Sequence, residues 1–353
     1  MSILFAFLLF SLLIFVHELG HFVAAKLSGI QVNEFAMFMG PAIFKKQIGQ
    51  TLYSIRCIPF GGYCAMEGED EDTPNPRSFQ KASWWKRFIV LVSGAAMNFI
   101  AGLLIFAIVF LPQDYISSAT IVQIEEGCAI AGEQGIQVGD RFLEIDGETV
   151  YTQSDFSMIL MAKGGQVHDL VLERNGEKIV LEDFRMEMRE FENEDGTKSL
   201  RYGFSFGVVE PTFGQKLQYV WDNAMSTIQN VKLSLQMLVS GKAGLSEVSG
   251  PVGIVDIMAD TAEQSASAYE AFLNMMYLGG FIAINLAVMN LLPIPALDGG
   301  RVVCLLITAA VEGITKKKIN PKYEGYIHGA GMILLLLLMA VIMLKDVIFI
   351  FKG

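Results

Sequence analysis

Residues 14–25, IFVHELGHFVAA, hold two histidines and a glutamate in a stretch that is otherwise apolar. In an α-helix, positions i and i+4 share a face, so His17 and His21 point the same way and can hold one metal ion. Glu18 follows the first of them and reaches toward the same place. This is the HExxH arrangement, in which two imidazoles bind zinc and the carboxylate serves as general base toward water. The alternative is a pair of buried histidines bonded to neighbouring groups. That reading leaves Glu18 as a carboxylate among apolar side chains with no cation, at a cost of about 3 kcal/mol or more.

Catalytic zinc usually takes three protein ligands and leaves one position open. Two further histidines, His168 and His328, are weak candidates for the third: the first falls in a polar region, the second at the start of an apolar run. NLLPIPALDGG, residues 290–300, is better placed. Pro293 and Pro295 cannot continue a helix. Broken backbone at membrane depth is tolerated only where protein or a water-filled cavity surrounds it. Asp298 follows the break, and it reads either as the third ligand or as the cap of a helix beginning near Gly299.

Those residues need rigid, apolar elements to position them, and the composition supplies such elements. Of 353 residues, 52% are hydrophobic, and the mean hydropathy is +0.44. That places the chain among membrane proteins. A spanning helix takes about 20 residues. Four stretches qualify: one from Ile3 to about Leu27, then Phe88–Leu111, Ala271–Leu297 with prolines interrupting it, and Ile327–Leu344. A signal peptide is the other reading of the first stretch. It has no basic n-region and no small-residue cleavage site after the apolar run, which leads straight into HELGH.

Lys and Arg mark the cytoplasmic loops. Lys45, Lys46, Arg56, Arg77, Lys81, Lys86 and Arg87 follow the first span, and Lys316, Lys317, Lys318 and Lys322 precede the last. With four spans these loops share one side. Both termini and residues 112–270 are therefore expected outside the cytoplasm, with the metal site toward the cytoplasmic side.

The formal net charge of −11 is unevenly spread. Residues 113–210 carry 20 acidic and 8 basic side chains, while the rest of the chain is near neutral. That predicts a distinct acidic soluble domain, and no nucleic-acid-binding surface. Within it, RFLEIDGETV reads as a strand and Asp-Gly turn, QSDFSMILMAK as a short helix, and DLVLERNGEKIVLE as a hairpin about a type I′ Asn175-Gly176 turn. Apolar residues from Leu217 to Leu238 recur at helical spacing, giving an amphipathic helix that lies on the membrane or packs on the acidic domain. Residues 34–69 lack helical periodicity, and glycine pairs punctuate them, so hairpins or a small sheet near the membrane are expected. Glu67–Asp72 with Pro74 and Pro76 reads as a solvated loop. The four cysteines, Cys57, Cys64, Cys128 and Cys304, form no disulfide framework.

HELGH in the first span, NxxPxPxLDGG later, and a domain between spans two and three together resemble the site-2 protease family of intramembrane zinc metalloproteases. PFGGYCAMEGE, WWKRFIVLVSGAAMN and SGPVGI add to the likeness, which covers essentially the whole chain. GIQVGDRFLEIDGETV resembles a bacterial PDZ domain, with room for one. Gly94-Ala95 departs from the Gly-Pro often found in the family's second span.

The resemblance implies one zinc ion per chain, held by His17, His21 and Asp298, with Glu18 as catalytic base. It assigns Asn290, with Pro293 and Pro295 of the same motif, to holding substrate. It also implies cleavage of single-span membrane proteins, such as anti-sigma factors, or of remnant signal peptides.

The expected fold is a multi-pass α-helical membrane protein of about four transmembrane helices. Its parts are a first helix 1–27, a β-rich membrane-associated segment and loop 28–87, and a second helix 88–111. A PDZ-like domain 118–190 and an amphipathic helical extracytoplasmic region 211–270 follow, then an interrupted third span 271–311 and a fourth helix 327–350. The lipid bilayer is a partner throughout. The PDZ-like domain either captures a peptide or substrate ectodomain, or limits access by size. Two other functions fit parts of the pattern: an inactive PDZ scaffold with a vestigial metal site, and a metal-ion transporter, since broken spans and mid-membrane carboxylates also mark ion paths.

Overall fold

The structure, a computed structural model, describes residues 2–69, 73–192, 196–244, 250–316 and 322–352. The chain forms two compact units, one of residues 1–105 with 245–353 and one of residues 106–244.

The first unit is built on apolar helices. Among the described residues, four are long and apolar enough to cross a membrane: α1 (Ser2–Leu27), α2 (Trp84–Phe110), α6 (Ala268–Asn290) and α8 (Lys322–Lys352). Helix α2 starts at Trp84 rather than at residue 88, because Lys86 and Arg87 sit in its first turn, outside the uncharged run. The third apolar segment is interrupted as its prolines require: α6 stops at Asn290, and a second helix, α7 (Asp298–Thr315), begins after a seven-residue break. In that break Ala296 takes a left-handed φ of 79°. Its N–H donates to His328 Nδ1 at 3.0 Å, which holds the loop against α8.

Residues 32–66 form two long strands, β1 (Val32–Ile48) and β2 (Thr51–Met66), joined by a tight turn at Gly49-Gln50. The pairing doubles back. Phe35 faces both Cys64 and Tyr53, and Ala36 both Tyr63 and Ser54, so the first half of β1 lies between the two halves of β2. Phe35 then packs its ring on Phe15 and Phe22 of α1. The same cluster buries Ala24 and Ala25 of α1, Val90 and Leu91 of α2, and Leu305 of α7. The sheet is thereby anchored on the helices that carry the chemistry. Asp70, Glu71 and Asp72 of the expected acidic loop, and Lys317 and Lys318 before the last span, lie outside the described residues.

Region 211–270 is not one element. Helix α4 (Phe213–Val239) belongs to the second unit, and α5 (Pro251–Gln264) to the first. The sequence reading took 211–270 as one amphipathic helical extracytoplasmic region. Met258 of α5 is instead fully buried, in a cluster with Ala6, Leu9 and Leu13 of α1 and Ile282 and Ala283 of α6. Asp346 of α8 accepts the N–H groups of Gly250 and Gly253 at 2.9 and 3.2 Å, satisfying donors at the start of α5 that have no partner within the helix.

The second unit is a mixed α/β domain. Its sheet has strand order β10 (Phe204–Val209), β3 (Ile116–Ile124), β4 (Arg141–Ile145), β6 (Val167–Arg174), β7 (Glu177–Arg185), with β5 (Glu148–Thr149) beside β4. Strands β8 (Arg189–Glu192) and β9 (Lys198–Arg201) make a separate hairpin. Asn175 and Gly176 both take positive φ, 53° and 83°, as the hairpin turn between β6 and β7 demands. The domain extends past residue 190, since β10 completes the sheet against β3. Phe204 and Phe206 of β10 pack on Phe156 of α3 (Gln153–Lys163) at 5.4 and 5.5 Å between ring centroids.

The open question about the amphipathic helix is answered by packing: α4 lies on this domain. Leu233 is fully buried in the domain's core. Gln229 donates to the Thr149 carbonyl at 2.8 Å, and Lys232 binds Glu148. Asp155 is fully buried. It accepts from the Tyr151 and Thr152 N–H groups at the start of α3 and from Ser226 Oγ of α4 at 2.6 Å. Burial pushes the Asp155 carboxyl up from its ordinary value, and the hydrogen bonds from Ser226 and Thr152 oppose that shift. Replacing Asp155 with Ala strands three donors in the interior. Asp155→Ala should destabilise the domain by about 2–3 kcal/mol, read as a lower thermal midpoint and faster amide exchange along α4.

Candidate metal centre

Helix α1 carries His17 and His21 one turn apart, as the spacing predicts, with their ring centroids 4.8 Å apart. The other half of the site comes from the start of α7. Asp298 Oδ2 lies 3.1 Å from His17 Nε2 and 3.3 Å from His21 Nε2, and the two Nε2 atoms are 3.2 Å from each other. The three donor atoms lie within 4.8 Å of one another, a spread that suits ligands of one metal ion. Asp298 does not cap α7: the cap position is Leu297, and no side chain bonds there. The capping alternative is therefore replaced by convergence on the histidines.

The donor set fits zinc, which favours imidazole nitrogen and carboxylate oxygen. Asp298 Oδ2 is a buried oxygen without a conventional hydrogen-bond donor. His21 Nδ1 lies 2.7 Å from the Val90 carbonyl of α2, an acceptor only. The proton must therefore be on Nδ1, which leaves the Nε2 lone pair aimed at Asp298 and His17. His17 Nδ1 has two amides beside it, Asn98 of α2 at 3.5 Å and Asn290 of α6 at 3.4 Å. Asn98 Oδ1 has no hydrogen-bond partner among the described residues. A half-turn of that amide would present Oδ1 to a proton on His17 Nδ1 and fix the second ligand in the same tautomer.

Glycines let the elements approach this closely. A Cβ on Gly94 of α2 would stand 2.7 Å from His17 Cε1 and 2.8 Å from His17 Nε2. The bare face of α2 is thus the floor beneath both imidazoles. A Cβ on Gly299 or Gly300 would run into the backbone of Leu291, Leu292 and Ile294, so only glycine lets α7 start directly on the turn that ends α6. Arg301, one turn after Asp298, pairs with Glu69 in the loop after β2. Gln80 donates to the Glu69 carbonyl at 3.0 Å and secures that loop in turn.

Glu18 is half-buried and within electrostatic range of both histidines and Asp298. Gly62 of β2 lies beside it: a Cβ there would be 3.6 Å from Glu18 Cγ. Asn290 stands against His17, and Pro293 and Pro295 form the break between α6 and α7. His168 is remote in role: it bonds Asp146 at 2.7 Å inside the second unit. Sequence reasoning missed Asn98, although a lone amide deep in an otherwise apolar span was a usable signal.

The site is a His/His/Asp cluster able to hold one metal ion, on or beside helices long and apolar enough to cross a membrane. The chain belongs to peptidase family M50, whose model matches residues 5–338. Among its relatives, the Clostridium perfringens protein named "Putative zinc metalloprotease CPE1693" is 36% identical over 352 residues, covering 99% of each chain. A Clostridium acetobutylicum protein named "Putative zinc metalloprotease CA_C1796" is 35% identical over 351 residues, covering 99% of this chain and 98% of the relative. Zinc metalloprotease RasP of Oceanobacillus iheyensis is 29% identical over 430 residues, covering 96% of this chain and 97% of the relative.

Two substitutions on α2 test this geometry. Gly94→Ala raises helix propensity yet forces a methyl group into the imidazoles. Asn98→Ala removes the amide at His17. Each should weaken zinc binding about 10- to 100-fold, measured as zinc per chain after dialysis against a buffered metal series. The helical circular dichroism should stay unchanged.

Proposed function

We propose that this protein is an intramembrane zinc endopeptidase that hydrolyses peptide bonds in or near the transmembrane segments of single-span membrane proteins or remnant signal peptides. The observation that carries the reading is the convergence of His17, His21 and Asp298, with Glu18 beside them, among helices apolar enough to lie in lipid. Zinc, when bound by those three residues, supplies Lewis acidity toward a carbonyl and toward water.

The chain's own residues do the rest. Glu18 is the general base, taking a proton from the attacking water and passing it to the leaving amine. Val90, through its carbonyl, and Asn98 hold the ligand tautomers. Asn290 and the broken backbone at Pro293 and Pro295 form the wall against which the substrate lies. A helical substrate hides its amides in its own hydrogen bonds, so it must unwind before cleavage. The second half of β2, with Gly62 beside Glu18, offers backbone groups to which an unwound segment can add as a strand. Residues 35–38 of β1 pair with the second half of β2, so replacing them with proline, which removes that pairing, should abolish cleavage while zinc is retained if the sheet edge recruits substrate.

In this reading the site opens toward the cytoplasmic side, and both termini and the acidic domain face outward. The excess of Lys and Arg in residues 28–87 supports that orientation. The acidic domain acts as a PDZ-like module that selects substrates by contact or by size. The functional test is co-expression of single-span candidate substrates with the wild type and with Glu18→Gln. Cleaved fragments should accumulate with the wild type only, and Glu18→Gln should lower the cleavage rate by at least about 100-fold while retaining zinc. Equal fragment yields from both proteins would reject the assignment of Glu18.

A further inference from the structure

We propose that the junction of α1 and α2 is a binding site for an anionic phospholipid, with the headgroup phosphate in a basic cavity and an acyl chain in the groove beside it. The cavity encloses about 390 Å³. Arg77, Lys81 and Lys86 line it, with Ser28, Ser78 and Ser83. Among the described residues no acidic side chain lines it and none of the three cations is ion-paired; Arg77 donates to Gln31 Oε1 at 3.2 Å and Lys86 to the Ser28 carbonyl at 2.9 Å. Ser78 is fully buried, and among the described residues its Oγ has no hydrogen-bond partner. Ser83 immediately precedes α2, so the positive end of that helix adjoins the same space.

The cavity adjoins a second, apolar one. Ser28 and Lys86 line both. The second runs down the seam of α1 and α2 past Val23, Leu27, Trp85, Ile89 and Met97. Leu27 is 84% exposed and Trp85 49% exposed, so the groove is open to its surroundings. Trp84 and Trp85 sit where aromatic side chains mark the membrane interface. A cationic mouth leading into an apolar channel is complementary to a phosphodiester carrying fatty chains, and a free phosphate would leave the channel unused. Basic pockets of this kind between helices suit anionic headgroups of the cytoplasmic leaflet. The groove also touches Gly20 and Ser93, within one turn of His21 and Gly94.

The test uses the full-length protein in phosphatidylcholine nanodiscs doped with spin-labelled phosphatidylglycerol, with retained lipids counted by native mass spectrometry. The wild type should retain phosphatidylglycerol in preference to phosphatidylcholine. Neither inorganic phosphate nor glycerol phosphate should displace it. Arg77→Gln with Lys81→Gln should reduce the preference about thirtyfold, since each surface cation contributes about a factor of five. Zinc content serves as the check that this variant folds, because neither residue touches the metal centre. Val23→Trp, which fills the groove, should lower retention of long-chain lipid without changing zinc content. Equal retention by wild type and the glutamine variant would overturn the proposal. So would displacement by inorganic phosphate, which would mark a free-phosphate site instead.

Discussion

The structure depends on one electrostatic constraint. Asp298 begins a helix inside an apolar unit, and its carboxylate oxygen sits 3.1 and 3.3 Å from two imidazole nitrogens. None of these groups is tolerable alone in a low-dielectric interior, because a buried charge without a partner costs several kcal/mol. A divalent cation held by His17, His21 and Asp298 would satisfy all three at once. The surrounding architecture is arranged to deliver them to one point from opposite ends of the sequence. Helix α1 brings two donors by its own periodicity. The third needs a break in the backbone, and Pro293 and Pro295 enforce one.

That break creates costs of its own, which the neighbours absorb. The end of α6 and the start of α7 expose backbone groups at a depth where water is scarce. His328 of α8 accepts the Ala296 N–H, and Gly299 and Gly300 let α7 begin flush against the preceding turn. Arg301 then ties the first turn of α7 to Glu69, and through it to the loop that closes the β1–β2 sheet. The sheet and the third ligand are thereby mechanically joined. A substrate segment pairing with β2 would act on the same element that positions Asp298.

What could be read from the sequence, and what could not, follows from the range of the interactions. HExxH is legible because both ligands and the base lie within one helical turn, where spacing dictates direction. The interruption at Pro293–Pro295 is legible because proline has a fixed local consequence. The turns at Asp146-Gly147 and Asn175-Gly176 are local for the same reason. The union of Asp298 with His17 is not local: residue chemistry alone left it open against a helix cap, and only the assembled helices place the carboxylate. The boundary near residue 211 also misled. Amphipathic α4 and apolar-faced α5 look alike in sequence, and what separates them is the surface that each finds, a sheet for Leu233 and three helices for Met258. The role of Val90 was invisible in principle, since it acts through a backbone carbonyl that any residue could supply.

The depth of the centre also follows from helix geometry. His21 and His17 lie six and ten residues before the end of α1, hence about 9 and 15 Å along its axis from Leu27. Gly94 lies ten residues into α2, again about 15 Å from Trp84, at a matching level in the antiparallel neighbour. Asn290 and Asp298 reach the same level at the end of α6 and the start of α7. The site is therefore nearer the face that carries β1 and β2 than the other end of α1, which extends about 22 Å beyond His17 toward the N-terminus. The shorter path to the site is from the sheet side. A strand beside Glu18 leaves amide and carbonyl groups open along its edge, whereas a helix there would have used its own.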